Sequence, residues 1–271
     1  MAVVQSQMTY LEPWIGEEEG PYVRGKVEDS FPGSNFENQE YSVVVHDARP
    51  TKSDFSLDIH GFAFHDDEPI TDETVQAIRE RNKLKVEALY YQSVENLVKK
   101  STGASKVIIS IIRIDGAIQR FFPIAENNRL LWSAIGAVGR VRRHAGKDAE
   151  RLLQERAHII NVWRPIHGTV EDWALALMDY RTLKSSEIPP TSIFRERHEM
   201  QGQTVSINYS ADQRWYYLDK QKVTEVTFIK IWDSVAKMCA HCAFPNPNAP
   251  TDSLPRESIE AHCLVFYENK V

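Results

Sequence analysis

Towards the C-terminal end of the chain, residue types that hold metals and anions fall close together. His241 stands fifteen positions before Arg256, and Arg256-Glu257-Ser258 runs directly into an apolar segment from Glu260 to Tyr267. An imidazole is a ligand for Fe(II) and other transition metals. A planar guanidinium holds a carboxylate through paired hydrogen bonds, and a serine hydroxyl two positions on adds a third. A histidine followed by Arg-x-Ser also recurs by chance, so its surroundings decide its meaning.

The other clusters are weaker. Cys239-Ala240-His241-Cys242 suggests zinc, but Cys263 is the one further cysteine, and in a strand residues 239 and 241 face opposite to 242. Small core thiols are the better reading. His65-Asp66-Asp67 is the one literal His-x-Asp, and it sits beside Glu68-Pro69 in a polar approach to a helix. His158 and His167 flank a strand and read as satisfied or surface residues. Trp163, Tyr216 and Trp232, with Trp215, Tyr217 and Phe244, supply either an apolar pocket wall or ordinary sheet core. No phosphate loop, nucleophile elbow or His-Glu-x-x-His is present.

Short β-branched and aromatic segments must position these residues. They cover residues 41–46, 55–64, 106–114, 158–163, 174–180, 203–209, 214–218, 226–232 and 260–267. The segment Val226 to Trp232 alternates in period two, and residues 71–100 carry Val75, Ile78, Val86, Leu89 and Leu97 at helical spacing, with Gly103 as a stop. Residues 133–156 read as two short helices broken at Gly146. The first forty residues, rich in Gly, Pro, Glu and Asn, read as a coil arm that wraps a core formed by residues 41–271, within a single domain of residues 1–271. Many short strands with two helical elements predict a sandwich or jelly roll buttressed by helices.

Composition narrows the partners. With 32 basic against 38 acidic residues and no clustered basic stripe, phosphate backbones have nothing to grip, so nucleic acid is excluded as an expected partner. No apolar run approaches the roughly 18 residues of a membrane span, and no leader-like start is visible. Three cysteines cannot close a disulfide framework. A cytoplasmic protein that meets neither membrane nor nucleic acid is the expectation.

Seven segments then carry a resemblance along nearly the whole chain. They are Val45-His46-Asp47-Ala48-Arg49, residues 55–62 from Phe55 to Phe62, Thr102-Gly103-Ala104-Ser105, residues 160–165 from Ile160 to Pro165, Arg214-Trp215-Tyr216-Tyr217, Trp232-Asp233-Ser234 and residues 256–260. In this order they resemble the fungal AsaB-type hydroxylase/desaturase family, which is itself similar to the cephem-hydroxylating component of cephamycin biosynthesis. The resemblance implies a mainly β fold with flanking helices, the double-stranded β-helix or jelly roll of Fe(II)/2-oxoglutarate oxygenases. It also implies that His241 is an iron ligand and that Arg256 and Ser258 take the far carboxylate of 2-oxoglutarate.

One departure from the family stands out. The family's His-x-Asp ligand pair precedes a Gly-Ala…Arg-Val segment, matched here by Gly136-Ala137 and Arg140-Val141. Counting back places Arg129 at the histidine and Leu131 at the aspartate; a three-residue gap offers Glu126 and Asn128. Neither guanidinium nor leucine ligates iron. The reading that follows is a metal-independent, cofactor-free tailoring enzyme of fungal secondary metabolism. It would be a redox-neutral cyclase or isomerase, for example of Diels–Alder type, acting on a small apolar metabolite. Arg129 and His241 would be its catalytic residues, and Arg256, Ser258, Trp163, Tyr216 and Trp232 would bind the substrate. The alternative keeps Fe(II) and 2-oxoglutarate with atypical ligands around His241, in a hydroxylase or desaturase. A third reading is a non-catalytic partner of a tailoring enzyme.

Overall fold

The computed structural model describes residues 2–12, 14, 20–24, 33–115, 131–132, 134–194, 200–235 and 238–268. Its strands are β1 (Val3–Leu11), β2 (Tyr22–Arg24), β3 (Asn38–Asp47), β4 (Phe62–Asp66), β5 (Lys106–Asp115), β6 (Leu131–Trp132), β7 (Ala157–Pro165) and β8 (Thr169–Val170). The series continues with β9 (Trp173–Met178), β10 (Pro190–Phe194), β11 (Met200–Val205), β12 (Trp215–Tyr217), β13 (Gln221–Lys222), β14 (Glu225–Asp233), β15 (His241–Pro245) and β16 (Ser258–Phe266). The helices are α1 (Asp72–Arg79), α2 (Lys83–Thr102), α3 (Ala134–Ala145) and α4 (Ala149–Leu152).

The major sheet is antiparallel throughout, in the order β4-β14-β7-β16-β5. Its central strands β7, β14 and β16 are buried at every position because both faces are covered. On the outer face Ile259, Ala261, Cys263 and Val265 join Ile160, Val162, Val226 and Phe228 against Ala77, Ile78, Val86, Tyr90, Val94 and Val98 of the helices. The inner face turns Leu264, Phe266, Ile159, Trp163 and Ile229 towards the second layer. Val86, Tyr90, Val94 and Val98 recur at four-residue spacing, so one stripe of α2 faces the sheet. Each fully buried side chain of this kind contributes roughly 1.5–3 kcal/mol, more than helix propensity supplies.

The minor sheet runs β1-β3-β12-β9-β15, with β12 parallel to β3 and the other pairs antiparallel. Strands β2, β10, β11 and β6 form a third sheet, and β8 pairs with β13. The fold is a double-stranded β-helix with flanking helices. No helix among the described residues is long and apolar enough to cross a membrane.

Four local features differ from the expectation. The first forty residues are not coil throughout: β1 pairs along its whole length with β3, and Val4, Ser6, Met8 and Tyr10 are buried on alternate positions. The helix expected over residues 71–100 is two helices. The Thr71 hydroxyl caps α1 by accepting from the Thr74 amide, Arg81 breaks the run at φ 53°, and Asn82 caps α2. Residues 55–61 are not strand, because Gly61 at φ 86° swings the chain into β4 only at Phe62. A Cβ at Gly61 would stand 3.0 Å from Cys239 Cβ, so this turn admits glycine alone. Finally, a bulge between Lys230 and Trp232 ends the alternation of β14 and brings Trp232 to the same core as Ile229 and Ile231.

Candidate active site

Directly opposed residues of neighbouring antiparallel strands point to the same face. Across the major sheet one such row is Ile229, Asn161, His262 and Ile111, and the next is Thr227, Trp163, Glu260 and Arg113. Ser258 follows opposite Pro165. Across the minor sheet His241 opposes Leu177, which opposes Tyr216. His241 Nε2 and Glu260 Oε2 approach to 3.9 Å between the layers, so these rows face one another across the interlayer core.

Glu260 is the centre of the cluster. Its Oε1 accepts a 2.9 Å hydrogen bond from Asn161 Nδ2 and lies 2.6 Å from His262 Nε2. Burial works to raise its pKa, but the His262 hydrogen bond and the charges of His262, His241 and Arg113 outweigh it. The carboxyl is held well below the usual carboxylate range. Burial depresses the pKa of His241, so its ring is neutral near neutral pH. Its Nδ1 is 3.3 Å from the Cys239 carbonyl, and a neutral ring donating there keeps a lone pair on Nε2. That Nε2 is buried without a hydrogen-bond partner, as are His262 Nδ1 and Ser258 Oγ.

Arg256 stands at the mouth of β16, donating to the Trp173 carbonyl at 2.7 Å with its guanidinium 5.7 Å from the Trp163 ring centre. Trp163 and Trp232 are buried in the interlayer core. Tyr216 is half-buried, its ring 4.9 Å from Phe55 and 5.5 Å from His46. The structure therefore sets Trp163 and Ser258 on the inner face of the major sheet with Arg256 against Trp163, and His241 opposite Glu260, with Tyr216 in the same row as His241 on the minor sheet. Arg129 lies outside the described residues, as do Glu126 and Asn128, and Leu131 pairs with Val205 in β6.

Neither Glu260 nor His262 is among the candidate site residues expected from the sequence. Their signal is nevertheless visible: Ser258, Glu260 and His262 are polar at alternate positions of a strand that is otherwise apolar. The remaining candidates are dispersed. The His65 ring packs 4.3 Å from that of Phe228, Asp66 pairs with Lys52, and Asp67 pairs with Arg164. His158 faces Asp233 instead, while His167 is exposed. The three cysteines are free thiols, two of them buried. Among the described residues no three His, Cys, Asp or Glu side chains stand arranged around a metal-sized point.

Over residues 8–266 the chain matches the family described as oxidoreductase/YMDC permease-like domain. It is 34% identical over 268 residues to the Fe(II)/2-oxoglutarate-dependent dioxygenase nvfI of Aspergillus novofumigatus, covering 97% of this chain and 96% of that protein. The chain belongs to the AsaB-type hydroxylase/desaturase family. Aspirochlorine biosynthesis protein N of Aspergillus oryzae is 50% identical over 168 residues, 59% of this chain and 71% of that protein. A solved structure of a variant of the iron and alpha-ketoglutarate-dependent endoperoxidase NvfI superposes with a TM-score of 0.91 at 33% identity, over 99% of this chain and all of that one (100%).

These family relatives overturn the expectation of a cofactor-free protein, since nvfI depends on iron and 2-oxoglutarate by its very description. That expectation took Arg129 and Leu131 to empty the cavity of metal donors. Among the described residues two imidazoles and a carboxylate do meet between the layers, although they are not arranged around a metal-sized point; His241, with a lone pair on Nε2, is of a type that ligates Fe(II). The unpartnered hydroxyl of Ser258 beside Arg256 likewise fits a carboxylate.

Proposed function

We propose that this protein is an Fe(II)/2-oxoglutarate-dependent oxygenase, a hydroxylase, desaturase or endoperoxide-forming enzyme that tailors a small apolar fungal metabolite. The observation that carries the reading is that His241 Nε2 and Ser258 Oγ are buried, unpartnered polar atoms in a chain alike to NvfI over its whole length. His241 would hold the metal, and Arg256 with Ser258 would hold the far carboxylate of 2-oxoglutarate. Together these cofactors supply the oxidising power for attack on an unactivated C–H bond.

The protein's own residues do the rest. Arg256 is steadied by the Trp173 carbonyl and the face of Trp163, so its fork is pre-oriented before a carboxylate arrives. Trp163 and Trp232, buried between the layers, and half-buried Tyr216 would give a substrate held beside them an apolar, water-poor setting. Cys239, through its carbonyl, sets the tautomer that leaves His241 Nε2 able to bind.

The test is 2-oxoglutarate turnover to succinate by purified protein supplied with Fe(II) and oxygen, with binding of 2-oxoglutarate followed separately. Arg256→Ala should weaken that binding about ten- to a hundredfold, the worth of a charge-assisted hydrogen bond of about 1.5–3 kcal/mol. If the wild-type protein neither binds nor consumes 2-oxoglutarate, the reading is wrong. Turnover of a pathway intermediate under anaerobic, metal-free conditions would replace it with redox-neutral cyclisation, and absence of any turnover with a binding-partner role.

A further inference from the structure

We propose that Arg113 of β5 and Arg140 of α3, with the Ser110 hydroxyl, form a binding site for a carboxylate carried by the substrate, so that the metabolite taken by this protein is an otherwise apolar acid. The inference rests on the oxygenase reading and deepens it by naming the substrate class.

The fold gathers these groups at one edge of the sandwich. β5 is the last strand of the major sheet, and Arg113 opposes Glu260 there, which extends the inward-facing row of Thr227, Trp163 and Glu260 to the rim. The Arg113 side chain is exposed and makes no hydrogen bond or ion pair with another described residue. β5 bulges at Ser110: His262 faces Ile111 but Cys263 faces Ile109, so Ser110 stands outside the ladder with its side chain re-aimed. Its hydroxyl donates to the His262 carbonyl at 3.2 Å and accepts from Arg140 Nη1 at 3.3 Å. α3 packs on β5 and sinks Ala137 and Val141 into the interlayer core. Arg140, three residues after Ala137 and next to Val141, is thereby held over the same edge.

Charge indicates what binds there. Arg140 is half-buried, and desolvation first, then the like charges of Arg113 and Arg143, draw its pKa down to about 10. His144, one turn further along α3, is lowered in the same way by desolvation, Arg140 and Arg143. Three guanidiniums and an imidazole thus stand where they repel one another, and an anion among them relieves that repulsion. Glu260 feels the charge of Arg113 but bonds Asn161 and His262 instead, at 2.9 and 2.6 Å. The forked donors of two arginines match a planar carboxylate. Inward of the rim the row passes to Trp163 and the interlayer core, so the acid's head would sit at the edge and its apolar body inside.

Octanoate titrated into the full-length protein tests the site, with octanol as the uncharged control. Octanoate should bind, and Arg113→Gln and Arg140→Gln should each weaken it about ten- to a hundredfold, the worth of one charge-assisted bond, without changing the response to octanol. Arg140→Lys should keep part of the affinity, since it restores the charge but not the fork. The wild-type protein gives an answer that needs no variant. Bound octanoate offsets the charges of Arg140 and Arg143, so the His144 ring, followed by NMR, should titrate at higher pH when octanoate is present. A His144 titration that octanoate leaves unmoved, variants that bind octanoate as tightly as wild type, or a wild-type protein that does not bind it overturns the site. Loss of 2-oxoglutarate binding in the two variants overturns it as well, by giving these arginines to 2-oxoglutarate in place of the substrate. The oxygenase reading is decided separately, by 2-oxoglutarate turnover, so the two can fail independently.

Discussion

Replacing His158 with glutamine should flatten the acid limb of the stability curve. His158 is buried in the major sheet, 3.4 Å from Asp233, and burial first, then the positive charges of Lys230 and Arg156, push its pKa down to about 4. Asp233 cannot rescue the protonated ring, because its carboxylate already takes Lys230 at 2.7 Å, Arg156 at 3.1 Å and the Val235 amide. The unfolded chain binds a proton on this histidine near pH 6.5, the folded one only near pH 4. Stability is therefore complete above the upper value and falls as pH drops through the window towards the lower one. Between about pH 7 and about pH 5 the loss is on the order of 2 kcal/mol, and it approaches roughly 3 kcal/mol below the folded pKa. Urea midpoints across that range, converted with a common slope, supply the measurement. The difference between wild type and His158→Gln should shrink by about 2 kcal/mol on acidification. A difference that stays constant with pH, or a His158 ring that titrates near its ordinary value by NMR, refutes this account of the buried network.

Two other substitutions probe the frame around the site. Gly61→Ala combines a positive φ with a Cβ pressed against Cys239, so thermal unfolding should show a loss of about 1–3 kcal/mol and poorer retention of the loop before β4. Glu225 receives Arg49 through two bonds of 2.9 and 3.0 Å and Lys52 through a third, and its carboxyl is held down to about 2 as these contacts outweigh the raising effect of burial. Glu225→Gln should lower stability by about 1.5–3 kcal/mol at neutral pH while leaving 2-oxoglutarate binding unchanged.

Much of the frame was legible because β7, β14 and β16 are long and strongly patterned, and their apolar residues had one place to go. What was hidden has local causes. The alternation of β1 is real, yet Gln5, Gln7 and Thr9 between its buried residues and the Gly- and Pro-rich stretch after it resemble coil. The bulge at Lys230 keeps a fully buried lysine in a strand whose pattern alone assigns it no partner. The break at Arg81 depends on a left-handed residue that is not glycine, which composition cannot announce. At the site, His241 and Arg256 stood out as familiar types at a familiar spacing. Glu260 and His262 did not, because their meaning comes from facing His241 across two layers, a relation that exists only once β15 and β16 belong to different sheets.

That division of strands also sets the order in which the molecule can be made. No two neighbours in the major sheet are consecutive in the chain: β4 waits for β14, and β5 and β7 both wait for β16. Each ladder must close a long loop before its first hydrogen bond forms, which slows folding and leaves β5 and β7 with bare edges during synthesis. The α1–α2 pair, being local, can form early, but it has no sheet to lie on until the end. The strand that finally joins β5 to β7 is the one bearing Ser258, Glu260 and His262. Birth of the fold and birth of the site are thus one event on the ribosome's timetable, and a chain stopped short of residue 258 should yield an aggregating product with neither.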